Sequence, residues 1–329
     1  MKIAIDAMGG DHAPHNEVLG ALRAVKMDES IYVVLVGKKN LLEEELAKHE
    51  KSDRISIVHA DDIITMHESP VKVLKEKKPT SLRIGLKLLK DKEVDAFVSA
   101  GNTGAVMALS IFNLGRIKGV ERPAIVALFP TIKKPLVILD IGANVDCKPK
   151  HLVQFAKMGS VFCEKVLNNP NPKVKLLNIG EEEEKGNELT TETYQLLKND
   201  KEINFDGNIE PGHLLDGNTD IVVCDGFVGN VILKFGESAV RTLGTIIKEE
   251  VKKSILATIG GIFLIPAFKK VRKKTDYDEI GGTMLLGVKN VVIIAHGSAS
   301  PKAISNAILE AKKVKNENVI EKIEEVLSN

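Results

Sequence analysis

The chain has 329 residues, of which 43% are hydrophobic and 28% charged, and its formal net charge is +1. That is enough apolar material for one large α/β domain or two smaller ones, and it excludes a disordered or fibrous chain. So small a net charge names no polyelectrolyte, so no nucleic-acid partner is expected and any electrostatic recognition must come from local patches.

In chain order, short Val/Ile-rich runs alternate with helical patterns. Strands are predicted at 2–6, 32–37, 55–59, 96–99, 124–128, 136–141, 175–180, 221–224 and 291–295. Helices are predicted at 16–26, 40–49, 150–167 and 190–198. The strand runs are nearly continuous in apolar residues, as in strands buried on both faces. The alternation predicts an α/β fold, a mainly parallel sheet with helices on both sides, over one domain spanning 1–329. The chain opens on a strand with neither a basic n-region nor a long apolar stretch, so no signal peptide is expected. No segment reaches the roughly 20 apolar residues of a spanning helix, which predicts a cytoplasmic protein with at most peripheral membrane contact. Cys147, Cys163 and Cys224 are odd in number, far apart and outside any CxxC pair. That pattern fits a reducing compartment and neither a disulfide framework nor a zinc site, so no metal is expected.

Four predicted strands end in small, polar loops: Asp6-Ala7-Met8-Gly9-Gly10-Asp11-His12, Ser99-Ala100-Gly101-Asn102-Thr103-Gly104-Ala105, Asp140-Ile141-Gly142-Ala143-Asn144-Val145-Asp146 and Asp225-Gly226-Phe227-Val228-Gly229-Asn230. In a parallel sheet all four would share the carboxyl edge, where such folds hold ligands. Glycine admits close backbone approach and helix N-termini offer N–H groups, so together these loops suit phosphate or another oxyanion. Gly, Asn and Asp also make ordinary turns, so a single loop of this kind carries little. The candidate phosphate and substrate contacts are Asp6, Gly9, Gly10, Gly101, Asn102, Thr103, Gly104, Asn144, Asp225, Gly226 and Gly229. No GxGxxG with its acidic partner and no Walker pattern is present, which disfavours a nucleotide or dinucleotide. Lys185, after the run Glu181–Glu184, lies where a lysine can reach the same cleft; the acidic run itself reads as a solvated face. His296, in His296-Gly297-Ser298, is either a general acid or base or a hydrogen-bonded structural histidine.

These motifs resemble the PlsX family, the acyl-acyl carrier protein:phosphate acyltransferases. The likeness is carried by Ile5–Pro14, Ser99–Ala105, Gly115–Gly119 with Arg122-Pro123-Ala124, Leu139–Asp146 with Lys148-Pro149, Lys185–Glu188, Asp225–Asn230, Gly281-Gly282 and Ala295–Ser298. It runs from the first residues to about Lys313, and the last charged helix carries little of it. The resemblance implies a Rossmann-like, three-layer αβα fold of the isocitrate/isopropylmalate dehydrogenase type, a homodimer, and neither metal nor organic cofactor. It implies transfer of a fatty acyl group from acyl carrier protein to inorganic phosphate. The acyl phosphate then serves glycerol 3-phosphate acylation by a membrane glycerol-phosphate acyltransferase. It places catalytic roles on Lys185 and Asn230, to which His296 is added as a candidate proton donor to the departing thiolate.

Carrier protein is acidic, and between residues 68 and 90 stand Lys72, Lys75, Lys77, Lys78, Arg83, Lys87 and Lys90 against only Glu68 and Glu76. Lys72, Lys75, Lys77, Lys78 and Arg83 are the candidate docking residues, the alternative being an ordinary solvated helix face. A helical hairpin is expected at 236–282. Within it, the apolar stretch 254–268 has Lys252 and Lys253 before it and Lys269, Lys270, Arg272, Lys273 and Lys274 after it. Ile262, Phe263 and Leu264 are the candidate contacts with an anionic membrane surface, and a dimer-interface hairpin is the alternative. Rival functions are a phosphotransacetylase using acyl-CoA and a non-catalytic scaffold of lipid synthesis.

Overall fold

The computed structural model describes residues 1–275, 278 and 281–328, without the side chains of 272–275. Its strands are β1 Lys2–Asp6, β2 Tyr32–Gly37, β3 Ile55–His59, β4 Ala96–Ser99, β5 Ala124–Phe129, β6 Leu136–Leu139, β7 Val174–Leu177, β8 Phe205–Ile209, β9 Ile221–Val223, β10 Thr283–Leu286 and β11 Val291–Ile294. They form one sheet in the order β3-β2-β1-β4-β11-β10-β5-β6-β9-β7-β8. The helices are α1 His15–Met27, α2 Lys39–Leu46, α3 Pro70–Lys75, α4 Ser81–Lys90, α5 Thr103–Leu114, α6 Pro149–Leu167, α7 Glu188–Asn199, α8 Gly226–Lys252, α9 Ile255–Thr275, α10 Pro301–Asn316 and α11 Val319–Ser328.

Period-two alternation explains the layers. Along β1, Ile3 and Ile5 enter one buried cluster with Val18 and Ala21 of α1, Phe155 of α6 and Ile304 of α10. Ala4, between them, points to the other, with Val73 of α3, Leu82 and Leu86 of α4 and Val106 of α5. Both faces are covered, as the continuous apolar runs require.

The strand directions differ from the single parallel edge expected above. β1, β2, β3, β4 and β11 are mutually parallel, and so are β6, β7, β8 and β9. Between the two sets, β10 is antiparallel to β11 and β5, and β5 is antiparallel to β6. Three reversals leave the second set running opposite to the first. Two strands escaped the sequence reading. β8 is an edge strand, Phe-Asp-Gly-Asn-Ile, whose polar residues and left-handed Gly207 (φ 83°) mask its pattern. β10 is four residues between glycines, too short for periodicity to register. β6 also stops at Leu139 and β7 at Leu177, short of the expected ends, because the Asp140 and Asn178 side chains take over the next backbone N–H groups.

α8 and α9 are joined by two residues and pack against each other. α8 begins at Gly226, ten residues before the expected hairpin boundary at 236, because the site loop and the hairpin share one continuous helix. α9 runs on through Gly260, Gly261 and Pro266. Residues 276, 277, 279 and 280 of the expected hairpin, and the side chains of Arg272, Lys273 and Lys274, lie outside the described residues. Among the described residues no helix is long and apolar enough to cross a membrane.

α4 sits close on β4 because Gly85 leaves room for the Phe97 ring: a Cβ at Gly85 would lie 2.2 Å from Phe97 Cε2. Gly85→Ala is therefore expected to destabilise by about 1–3 kcal/mol in urea unfolding, despite alanine's better helix propensity. Phe97→Leu in the same chain should recover part of that loss.

Candidate active site

The carboxyl ends of β1, β4 and β11 bring together three of the predicted motifs. Asp6 is buried and accepts from Ser99 Oγ at 3.0 Å and Met8 N at 3.3 Å. Burial raises its carboxyl above the usual range, while bonds from Ser81, Ser99 and Met8 pull it down. Gly9 lies directly on Gly101, so close that a Cβ on Gly9 would stand 2.8 Å from Gly101 N. Asp11 N donates to Gly297 O at 2.8 Å, which ties the β1 loop to the His296 loop. Gly104 packs on Pro70, and the Thr103 and Gly104 N–H groups, in the first turn of α5, have no acceptor among the described residues.

One expectation about this set needs correction. Asn102 does not offer its amide to a ligand. Its Oδ1 caps Ala105 N at 3.0 Å, and its Nδ2 donates to the carbonyls of Met66 and Glu68 at 2.9 Å and of Thr65 at 3.4 Å. Asn102 thus fastens the 65–68 loop. Arg83, a docking candidate, donates from Nη2 to the carbonyls of Val73, Leu74 and Glu76 and so closes the carboxyl end of α3. Of the other docking candidates, Lys72 and Lys78 pair with Glu76 at 3.7 and 3.1 Å, while Lys75 and Lys77 are exposed. His296 is exposed. Its Nδ1 accepts from Ser298 N at 3.2 Å, which assigns the neutral ring's proton to Nε2.

The second set lies at the carboxyl ends of β6, β9 and β7. Its centre is Asp140, fully buried. Oδ1 accepts from the N–H of Ile125 at 3.0 Å, Gly142 at 3.3 Å and Ala143 at 3.1 Å. Oδ2 accepts from Asn144 N at 2.7 Å and Asn144 Nδ2 at 2.9 Å. Burial pushes this carboxyl up and the donors hold it down. All five contacts are donors, so the carboxylate is the form that satisfies them. Asn144 also donates Nδ2 to Pro123 O at 2.7 Å, so its amide, expected at a ligand, is spent on the fold.

α8 docks onto this loop. Gly226 N donates to Asn144 O at 2.8 Å, and Asp225 Oδ1 caps Val228 N at 2.9 Å. A Cβ at Gly229 would stand 1.9 Å from Asp140 O, so only glycine permits the approach. The half-buried Asn230 side chain lies against the Gly142 turn, with Cγ 3.7 Å from where a Gly142 Cβ would be. Lys185 is exposed in the loop after β7, its carbonyl held by Asn178 Nδ2 at 2.9 Å. Neither the Asn230 amide nor the Lys185 ammonium has a hydrogen-bond or ion-pair partner among the described residues. Burial, then Asp140 and Asp225, pushes the nearby Cys147 thiol up to about 12, so it stays protonated and is no nucleophile near neutral pH. Among the described residues, no group of three or more His, Cys, Asp or Glu is arranged to hold a metal ion.

The structure therefore gathers Asp6, Gly9, Gly10, Gly101, Thr103, Gly104 and His296 in one set, and Asn144, Asp225, Gly226, Gly229 and Asn230 with Lys185 in the other. Among the described residues no hydrogen bond or ion pair joins the two. Sequence reasoning missed Asp140 and Glu17. Asp140 stood inside a quoted motif, but its donor at Ile125, on another strand, becomes a neighbour only in the fold.

The chain matches, over residues 1–322, the family model described as "Fatty acid synthesis protein". The chain belongs to that family. The resemblance to PlsX drawn from the motifs holds. The phosphate acyltransferase of Dictyoglomus turgidum is 52% identical over 334 residues, covering 100% of this chain and 98% of that one. In fold the chain is similar to a phosphotransacetylase from Streptococcus pyogenes, with TM-score 0.61, 17% identity and 98% of this chain and 94% of that one covered. It is also similar to 4-hydroxythreonine-4-phosphate dehydrogenase from Klebsiella pneumoniae, with TM-score 0.56, 14% identity and coverage of 95% and 99%. The Rossmann-like αβα fold of the dehydrogenase type is thus borne out.

Glu17 supplies a pH test of the first set. It is 2% exposed, its Oε2 has no partner among the described residues, and burial raises its carboxyl to about 7 against the pull of backbone N–H groups. An acid raised in the folded state favours the protonated form. The penalty is absent below the ordinary value of 4.5, grows up to about 7 and is constant above. At full extent it is about 3 kcal/mol. Glu17→Gln is expected to be more stable than the parent at pH 8 and about equal at pH 4, as read by thermal melting.

Proposed function

We propose that this chain is an acyltransferase that moves a fatty acyl group from a thioester donor to inorganic phosphate. The observation that carries the proposal is the second loop set, where Asn230 and Lys185 keep their polar ends open on a base of buried hydrogen bonds. Relatives named phosphate acyltransferase support it. Phosphate is largely ionised near neutral pH, so the task is positioning and charge handling. A phosphate oxygen attacks the thioester carbonyl carbon, the C–S bond breaks, and the acyl phosphate leaves beside a thiolate that takes up a proton. Lys185 offsets the phosphate charge. Asn230 donates from Nδ2 to phosphate or to the tetrahedral oxyanion, and His296, once it has taken up a second proton on Nδ1 facing Ser298 Oγ at 2.8 Å, gives its Nε2 proton to the thiolate and returns to the neutral ring.

Sheet twist supports a shared cleft for both loop sets. Six strand steps separate β1 from β9. At roughly 20–25° each they turn the strand direction by roughly 120–150°, which largely undoes the antiparallel reversal. Acyl-acyl carrier protein is the donor we favour, because Lys72, Lys75, Lys77 and Lys78 cluster at α3, beside the first set. The product would feed glycerol 3-phosphate acylation by a membrane enzyme. The likeness to a phosphotransacetylase fold favours a second reading, an acyl-CoA donor. A cytoplasmic homodimer that meets anionic lipid through α9 completes the proposal. Its support is the exposed Phe235, Leu243 and Ile246 of α8 and the exposed Ile262, Phe263 and Leu264 of α9.

Phosphate-dependent thiol release from palmitoyl-acyl carrier protein is expected, with palmitoyl-CoA a poor donor; equal use of the CoA ester would establish the second reading. Lys185→Ala and Asn230→Ala should each lower that rate by about 10²–10³ with unchanged melting temperature, and near-parent rates in both would remove these roles. Ile262→Asp with Phe263→Asp should abolish flotation with anionic vesicles, and flotation that persists would defeat the lipid contact.

A further inference from the structure

Three large apolar side chains stand in solvent at three neighbouring strand ends of the second loop set. Val145 follows β6 and is 62% exposed, Phe227 follows β9 and is 61% exposed, and Ile179 follows β7 and is 79% exposed. β6, β9 and β7 are adjacent in the sheet, and neighbouring strands lie about 4.8 Å apart, so the three strand ends from which these loops spring span about 10 Å. The backbone beside each of them is fixed by polar bonds. Val145 and Phe227 each follow one partner of the 2.8 Å bond from Gly226 N to Asn144 O. Ile179 N is held at 2.9 Å by Asn178 Oδ1, and the same Asn178 side chain holds the Lys185 carbonyl at 2.9 Å. Asn230 lies one helical turn beyond Phe227, against the Gly142 turn.

Single exposed apolar residues are common on any surface. Here three of them follow three adjacent strands, at the same ends that carry Asn230 and Lys185 with their polar groups open, so the topology places apolar side chains and a site for charge in one loop cluster. That pairing matches a substrate with an alkyl chain at one end and a reacting carbonyl at the other. We propose that Val145, Ile179 and Phe227 seat the alkyl chain of the acyl donor next to its carbonyl and set the enzyme's preference for long chains. The proposal rests on the acyltransferase reading above and names the residues that read the chain in it. It also accounts for an energetic cost: side chains of this size are left in water by the free protein, and chain binding removes them from it.

The test compares kcat/KM for palmitoyl and butyryl thioesters of the donor that the parent enzyme uses, in the full-length protein. In Phe227→Ser combined with Ile179→Ser, the palmitoyl-to-butyryl ratio is expected to fall by about tenfold or more, through a higher KM for the palmitoyl donor. Phe227→Leu should keep the parent ratio to within about threefold, because it retains an apolar contact. A misfolded loop would lower both substrates together, whereas an unchanged ratio with kcat/KM for the butyryl donor kept near the parent value overturns the proposal. A ratio that changes only where sedimentation shows the oligomer has dissociated also overturns it, and assigns the patch to a second copy of the chain. A parent protein that transfers neither chain to phosphate refutes the acyltransferase reading itself, and the seat with it.

Discussion

One buried carboxylate organises the second loop set. Asp140 gathers N–H groups from the start of β5, from the turn after β6 and from the Asn144 side chain, whose Nδ2 it shares with the Pro123 carbonyl. A buried anion is tolerated only when fully hydrogen-bonded, and five donors meet that condition. The turn so formed presents the Asn144 carbonyl to Gly226 and leaves a surface on which Gly229 of α8 packs without a side chain. The position of Asn230 follows from that contact. The residues that hold the site and the residues that remain open to a ligand are therefore different groups.

The same division of labour separates the two loop sets. In the first, Asp6 is occupied with Ser99, the Gly297 carbonyl with Asp11 and Asn102 with the 65–68 loop, and α5 offers backbone N–H groups in their place. In the second, backbone and Asn144 are consumed while Asn230 and Lys185 stay open. Three antiparallel pairings in the middle of the sheet set these halves against each other. The twist that accumulates across them decides how nearly the halves share one cleft.

α8 links the site to the most apolar surface of the molecule. Asp225 caps it, its first two turns carry Gly226 and Asn230, and it continues unbroken to Lys252, where α9 returns against it. Exposed apolar residues recur along α8 at Val231, Phe235, Leu243 and Ile246 and along α9 at Ile255, Ile259, Ile262 and Phe263. Such a surface is unfavourable in water unless something covers it. A helix rooted in the Asp140 loop makes the cover and the site parts of one rigid element.

The sequence by itself determined the layered α/β fold, nine of the strands, the loops that gather at the sheet's carboxyl ends, and the family. These follow from local signals: continuous apolar runs mark strands covered on both sides, and Gly-rich turns after them mark loops. Tertiary structure decided the rest. That β6 and β9 run opposite to β1 and β4 depends on β10, a four-residue strand that arrives from the far end of the chain. That Asn102, Asn144 and Arg83 are fastened to backbone depends on carbonyls and carboxylates up to 37 residues away. A polar side chain in a loop has the same appearance in a sequence whether it faces a ligand or a neighbouring carbonyl. Only packing brings the competing partner within hydrogen-bond distance, and that partner decides which groups are left for chemistry.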